Sequence, residues 1–167
     1  NSFTVMLDKL KEHIASLQKT TSEKEKIESE LNIAHTIQMG MLPREFPLRS
    51  EFELFAVLDS ARAVGGDLYD FFFLDKDHMF ISVGDVSGKG VPASLFMTVV
   101  RTLFRSRTMD GQPLHQIMAL INKELCKDNP NVMFVTMVSG IINLRTGTID
   151  LCNAGHNLPL IMDREGE

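Results

Sequence analysis

The 167 residues include no tryptophan, one tyrosine and two cysteines. Cys126 and Cys152 are far apart and form no Cys-x-x-Cys arrangement. That speaks against a structural zinc site or a disulfide framework and favours a reducing compartment. Long hydrophobic runs are missing too, because no stretch approaches the ~18 consecutive apolar residues of a membrane span. The most apolar run, VMFVTMVSGIINL from Val132 to Leu144, is broken by Thr136, Ser139 and Gly140 and reads as a strand. Basic residues are the minority, 17 against 22 acidic, for a net charge of −5. This is a poor match to a polyanion-coating protein, so nucleic acid is not an expected partner. The chain opens on Asn1 and carries no signal peptide, which reads as a cytoplasmic segment of a longer protein.

What is present suits a soluble globular domain, with 44% apolar and 23% charged residues. A chain of this length buries roughly two-thirds of its unfolded surface without covalent staples. Glycine and proline are absent before Gly40 and Pro43, and the opening segment reads as helix. Leu7, Leu10, Ile14 and Leu17 form a heptad seam. Ile27, Leu31, Ala34, Gln38 and Met41 form a second seam out of register with it. Between them, Ser22 and Glu25 fit a capping box at which a helix could restart. The alternative is one continuous helix with a phase discontinuity. Lys24–Glu28 and Lys26–Glu30 support a solvated face. A narrow seam on a charged helix favours a two-stranded coiled coil over a helix packed on its own domain.

Pro43 and Pro47 end that helix. Strands are expected at FELFAVLDSA (52–61), DLYDFFFLD (67–75) and HMFISVGDV (78–86). Helices follow at about 92–109 and 113–127. The apolar side of the first is Leu95, Val99 and Leu103 with Phe96 and Val100. That of the second is Leu114, Ile117, Met118, Ile121 and Leu125. Strands at MFVTMVSGIINL, TIDLCNA and LPLIM (158–162) come next, and DREGE (163–167) reads as a further hairpin turn. Strands, two helices, then strands again define an α+β class with antiparallel sheets.

Two acidic residues stand out. Asp67 follows Gly65-Gly66 between two strands, and Asp85 ends a strand and opens the loop GDVSGKG. Carboxylates at strand ends beside glycines suit a hard divalent cation such as Mg2+ or Mn2+. Tight turns, where Asp beside Gly is common, are the plainer explanation of either motif alone. GDVSGKG is no Walker A loop: three residues separate Gly84 from Gly88 instead of four, and Lys89 precedes Gly90 rather than a hydroxyl residue.

LNIAHTIQMGMLP, VGGDLYDFF, ISVGDVSGKGVPASLFM and NAGHNLPLIM, in this order, resemble the metal-dependent (PPM) serine/threonine phosphatases. The similarity is to their bacterial sporulation-phosphatase (SpoIIE-like) and stress-response branch, over about Leu31 to Met162. NSFTVMLDKLKEHI also resembles the exit helix of a HAMP domain. The resemblance implies an α/β/β/α sandwich with two Mn2+ or Mg2+ ions. On it, Asp67 is a metal-binding aspartate, Asp85 the bridging aspartate, and Val86 the residue that lends a backbone carbonyl. Lys89, His156 and Asn157 are candidates for substrate contact, each with a plainer role as a loop or turn residue. Ser87 stands where animal members carry a histidine. The TDG-type and later metal aspartates of the family are missing, so the chain is expected to hold only part of the metal site.

Together these readings divide the chain into a dimerising, signal-transmitting coiled-coil linker at 1–43 and the N-terminal part of a phosphatase domain at 44–167. The implied substrate is a phosphorylated anti-sigma-factor antagonist of STAS type. An upstream sensor, membrane-anchored or not, would act through the linker. The competing reading is a non-catalytic dimerisation or partner-binding module with an incomplete metal site.

Overall fold

The computed structural model describes residues 2–59, 63–127 and 129–162, apart from the side chain of Thr4. The opening segment is one unbroken helix, α1 (Ser2–Met41). The helix runs through the Ser22 capping box, so the seam shift is a phase discontinuity within a continuous rod. Lys19–Glu23, Lys24–Glu28 and Lys26–Glu30 pair along its surface at 3.6–4.0 Å. Residues 2–30, Thr4 aside, are all exposed. Leu31, Ala34 and His35 are partly buried, and Gln38 and the adjoining Leu42 fully so. The rod therefore docks through its last three turns only.

A four-stranded antiparallel sheet follows, ordered β1 (Leu68–Phe73), β2 (His78–Val86), β3 (Val135–Asn143) and β4 (Ile149–Ala154). Two helices, α2 (Val91–Thr108) and α3 (Leu114–Lys127), join β2 to β3 and cover one face. This is the expected mixed class, with the long helix in front. Register assigns the faces: Leu68 opposes Gly84, Phe72 opposes Phe80, and Val86 opposes Val135. These residues point toward the helices, where Phe80, Val86, Ala93, Met97, Val100, Phe104, Leu114, Ile117 and Ile121 form the core.

The predicted apolar face of α3 is the buried one. On α2 the buried stripe is shifted from the expected one: Ala93, Met97, Val100 and Phe104 are buried and Phe96 and Leu103 pack against the core, while Leu95 and Val99 stay exposed. The helix is apolar over more of its circumference than the sheet can cover.

Two expected strands do not form. Residues 52–59 alternate in burial as an extended segment should, but they make no ladder, and neither do residues 158–162. Extended backbone becomes sheet only with a partner edge to pair its N–H and C=O groups. The described residues thus contain one sheet, not the two of a complete sandwich. The remainder of 52–61, at residues 60 and 61, and the turn at 163–167 lie outside the described residues.

Candidate active site

Following the same register one step past β1 places Asp67 opposite Asp85, and Asp85 pairs with Thr136 on β3. The three residues form a row across one end of the sheet, on the face away from the helices. Two carboxylates at directly opposed positions repel one another. Burial, a hydrogen bond shared with Asp85 and the Asp85 charge hold the Asp67 carboxyl above the usual range, and His156 pulls it partly back. A proton or a cation between the two carboxylates relieves that repulsion.

The row is continued by His156. Its Nδ1 lies 2.9 Å from Thr136 Oγ1, and the same hydroxyl reaches the Asp85 carbonyl oxygen at 3.5 Å. The turn after β4 fixes the imidazole. Gly155 there has φ +73°, the Asn153 amide donates to the His156 carbonyl at 3.1 Å, and the His156 N–H donates to Asn153 Oδ1 at 2.8 Å. Asp67, Asp85 and His156 line one open pocket of about 480 Å3, with Tyr69, Val83 and Asp59 on its walls.

Glycine makes the other side of the site possible. A side chain on Gly66 would begin 2.7 Å from the Val86 carbonyl oxygen and 3.3 Å from Ala93 Cβ, so the Asp67 loop can lie against β2 and α2 only as glycine. Val86 itself is buried at the end of β2. Gly88 and Gly90, at φ +94° and +72°, turn the chain into α2. Ser87 anchors that loop through a backbone pair with Phe134: its N–H donates to the Phe134 carbonyl, and its Oγ accepts from the Phe134 N–H.

Of the six residues singled out in the sequence, Asp67, Asp85 and His156 come together in the pocket, and Val86 backs it. Lys89 is exposed on the loop before α2, and Asn157 lines the groove on the outer sheet face rather than the pocket. Thr136 was not anticipated. Its position at an outward-facing site of β3, among valines and isoleucines, was the available signal.

Hard carboxylate oxygens fit Mn2+ or Mg2+ in kind. In number they fall short of a metal site by themselves, because among the described residues no group of three or more His, Cys, Asp or Glu gathers around one point.

The sheet backed by two helices, with acidic residues at its end, has the architecture of a PP2C-type phosphatase domain. The family model for stage II sporulation protein E (SpoIIE) matches residues 75–167, more than half of the chain, and the chain belongs to that family. Asp85, Thr136 and His156 fall inside the matched span, and Asp67 lies just ahead of it. Protein IcfG of Synechocystis sp. is 29% identical over 193 residues, covering 99% of this chain and 30% of that protein. Phosphoserine phosphatase RsbU of Bacillus subtilis is 29% identical over 132 residues, covering 79% of this chain and 39% of that protein. The chain thus spans about a third of the length of these curated relatives. Among solved structures, the SiaA-PP2C domain of Pseudomonas aeruginosa superposes with a TM-score of 0.59 at 18% identity, covering 79% of this chain and 54% of that one. That likeness establishes the fold.

Proposed function

We propose that the chain is the part of a Mn2+- or Mg2+-dependent protein phosphatase that contributes Asp67 and Asp85 to the metal centre. Its substrate would be phosphoserine or phosphothreonine on a regulatory protein of the anti-sigma-factor-antagonist kind. The observation that carries this reading is the cross-strand Asp67–Asp85 pair at the mouth of the pocket, in a chain of the SpoIIE family whose relative RsbU is named a phosphoserine phosphatase.

On this reading the two carboxylates, with the Val86 carbonyl, would hold the ions. When bound, such ions lower the pKa of a water and neutralise charge on the phosphoryl oxygens. By the family resemblance, Asp85 and Asp67 would both serve as metal-holding carboxylates, with Asp85 in the more central role. Thr136 holds the His156 ring toward the same pocket, within reach of a bound phosphate. Lys89 on the exposed loop before α2 and Asn157 on the outer-face groove lie outside the pocket, where they would meet the phosphoprotein rather than the reacting atoms. Residues 1–43 act as the linker, paired with a second copy, and residues 44–167 carry the chemistry.

The test is release of phosphate from a phosphoserine protein as Mn2+ is titrated. Asp85→Ala should lower the rate by about 100-fold or more, in line with removing a principal electrostatic group. An Asp85→Ala rate equal to that of the unaltered chain would remove the metal assignment. A second reading, a phosphatase-like module that binds partners without catalysis, is favoured by the small acidic set among the described residues. Mn2+-independent binding of a phosphoprotein with no phosphate release would select it.

A further inference from the structure

The last buried turn of α1 does more than pack. Gln38 is 4% exposed, and its side-chain amide spends both of its functions on one backbone unit. Its Nε2 donates to the Gly65 carbonyl oxygen at 2.6 Å, and its Oε1 accepts from the Gly65 N–H at 3.2 Å. Gly65 is two residues ahead of Asp67. The next residue, Gly66, is pressed on its other side against Val86 and Ala93, with no room for a side chain. The segment Gly65-Gly66 is therefore gripped between the end of α1 and the end of β2, and Asp67 leaves that grip directly into the pocket.

Only glutamine meets both ends of the contact. Glutamate keeps the acceptor for the Gly65 N–H but, when ionised, sets a second oxygen against the Gly65 carbonyl. Asparagine is one methylene short. Leucine fills a similar volume and makes neither bond, leaving two part-buried backbone groups without their partner.

We propose that Gln38 is a positioning residue for Asp67: by pairing with both backbone groups of Gly65 it sets where the Asp67 carboxylate stands relative to Asp85. This rests on the reading of Asp67 as a metal-holding carboxylate. Groups that orient a metal ligand typically alter affinity 10–100-fold when removed. Gln38 acts in this way through the backbone, from a helix that contributes no ligand of its own.

The experiment compares the unaltered chain with Gln38→Leu and Gln38→Glu. Three quantities are read: amide hydrogen exchange along the chain, Mn2+ affinity from the electron paramagnetic resonance of free Mn2+, and the thermal melt. The expected result for Gln38→Leu is faster exchange at Gly65, Gly66 and Asp67, with β2 and β3 amides such as Val83 and Val138 unchanged. Mn2+ binding should weaken about tenfold. Gln38→Glu, which retains the shape and one bond, should fall between the two, and it carries the comparison if Gln38→Leu lacks a cooperative melt. Unchanged exchange at 65–67, or a uniform rise that merely follows a lower melting temperature, overturns the proposal. So does Mn2+ affinity that is unmoved while those amides open. If the unaltered chain takes up no Mn2+, the metal reading fails by itself, and the exchange pattern alone decides whether Gln38 holds the Asp67 loop.

Discussion

Asp67 and Asp85 make the clearest residue-scale statement, because their juxtaposition costs stability in the metal-free chain. The folded pKa of Asp67 lies above the unfolded value. Its contribution to stability is therefore fully present below the unfolded pKa and is lost as pH rises through the folded one. At neutral pH the pair is a liability that a cation or a neutral side chain removes. Asp67→Asn should raise the melting temperature of the metal-free chain at pH 7, by no more than about 2 °C given the exposure of the group. The gain should vanish near pH 3, where, on the proposed metal reading, stabilisation of the unaltered chain by Mn2+ should vanish too. A lower melting temperature at pH 7 would mean that the two carboxylates are not in conflict. Elsewhere, Asp70 escaped the sequence reading although it is 3% exposed. It lies at an inward position of β1, bound in two places by Arg105 at 2.7 Å and contacted by Arg101 at 3.2 Å. The clue was an acid between Leu68 and Phe72 on the apolar face, with arginines four apart on the helix that covers it. Period-two reading of LYDFFF favours its phenylalanines and hides the acid among them.

Among the elements, β2 was legible to the residue, and α2 and α3 to within one position at each end, because their periodicity and punctuation agree. The rotation of α2 was not, since it depends on which stripe fits nearest the sheet. The two unpaired extended segments, 52–59 and 158–162, have strand composition, and composition cannot say whether an edge is available to them. In the candidate site, Asp67 and Asp85 were legible from their glycines, but the cross-strand row through Thr136 to His156 needed the register of three strands. Helix α1 poses the sharpest element-scale problem. Residues 2–30, Thr4 aside, are exposed, with Leu10, Ile14 and Leu17 each about half exposed. Three surface ion pairs add only about 0.2–0.5 kcal/mol each, and a solitary helix is marginal in water. On the proposed linker reading, pairing with a second copy through the Leu7–Leu17 seam would supply the missing burial. Sedimentation of the chain should give a dimer, and Leu10→Asp with Ile14→Asp should give a monomer with less helix by circular dichroism. A monomer in both cases, at undiminished helix content, would eliminate the coiled coil.

At the scale of the whole molecule, the sheet is finished on one side only. Its helix-covered face is sealed, whereas Val83, Ile149 and Leu151 on the other are 52%, 39% and 36% exposed. In a complete α/β/β/α sandwich this face meets a second sheet. Leu151→Lys in this 167-residue chain should cost under about 1 kcal/mol by urea denaturation, near the range of surface changes. Val100→Lys on the sealed face should prevent cooperative folding. A cost of several kcal/mol for Leu151→Lys would mean that the outer face is already covered in solution.

The forty-residue rod also has a mechanical side. At 1.5 Å per residue it is about 60 Å long, and its side-chain tips ride about 5–6 Å from the axis. A twist of about 20° around that axis carries a tip by about 2 Å. Hydrogen bonds of the Gln38 kind do not survive such a displacement. If residues 1–43 act as the proposed linker, a torque applied at the far end would reach the Asp67 loop as a break rather than a bend, as in a torsion shaft with a narrow tolerance.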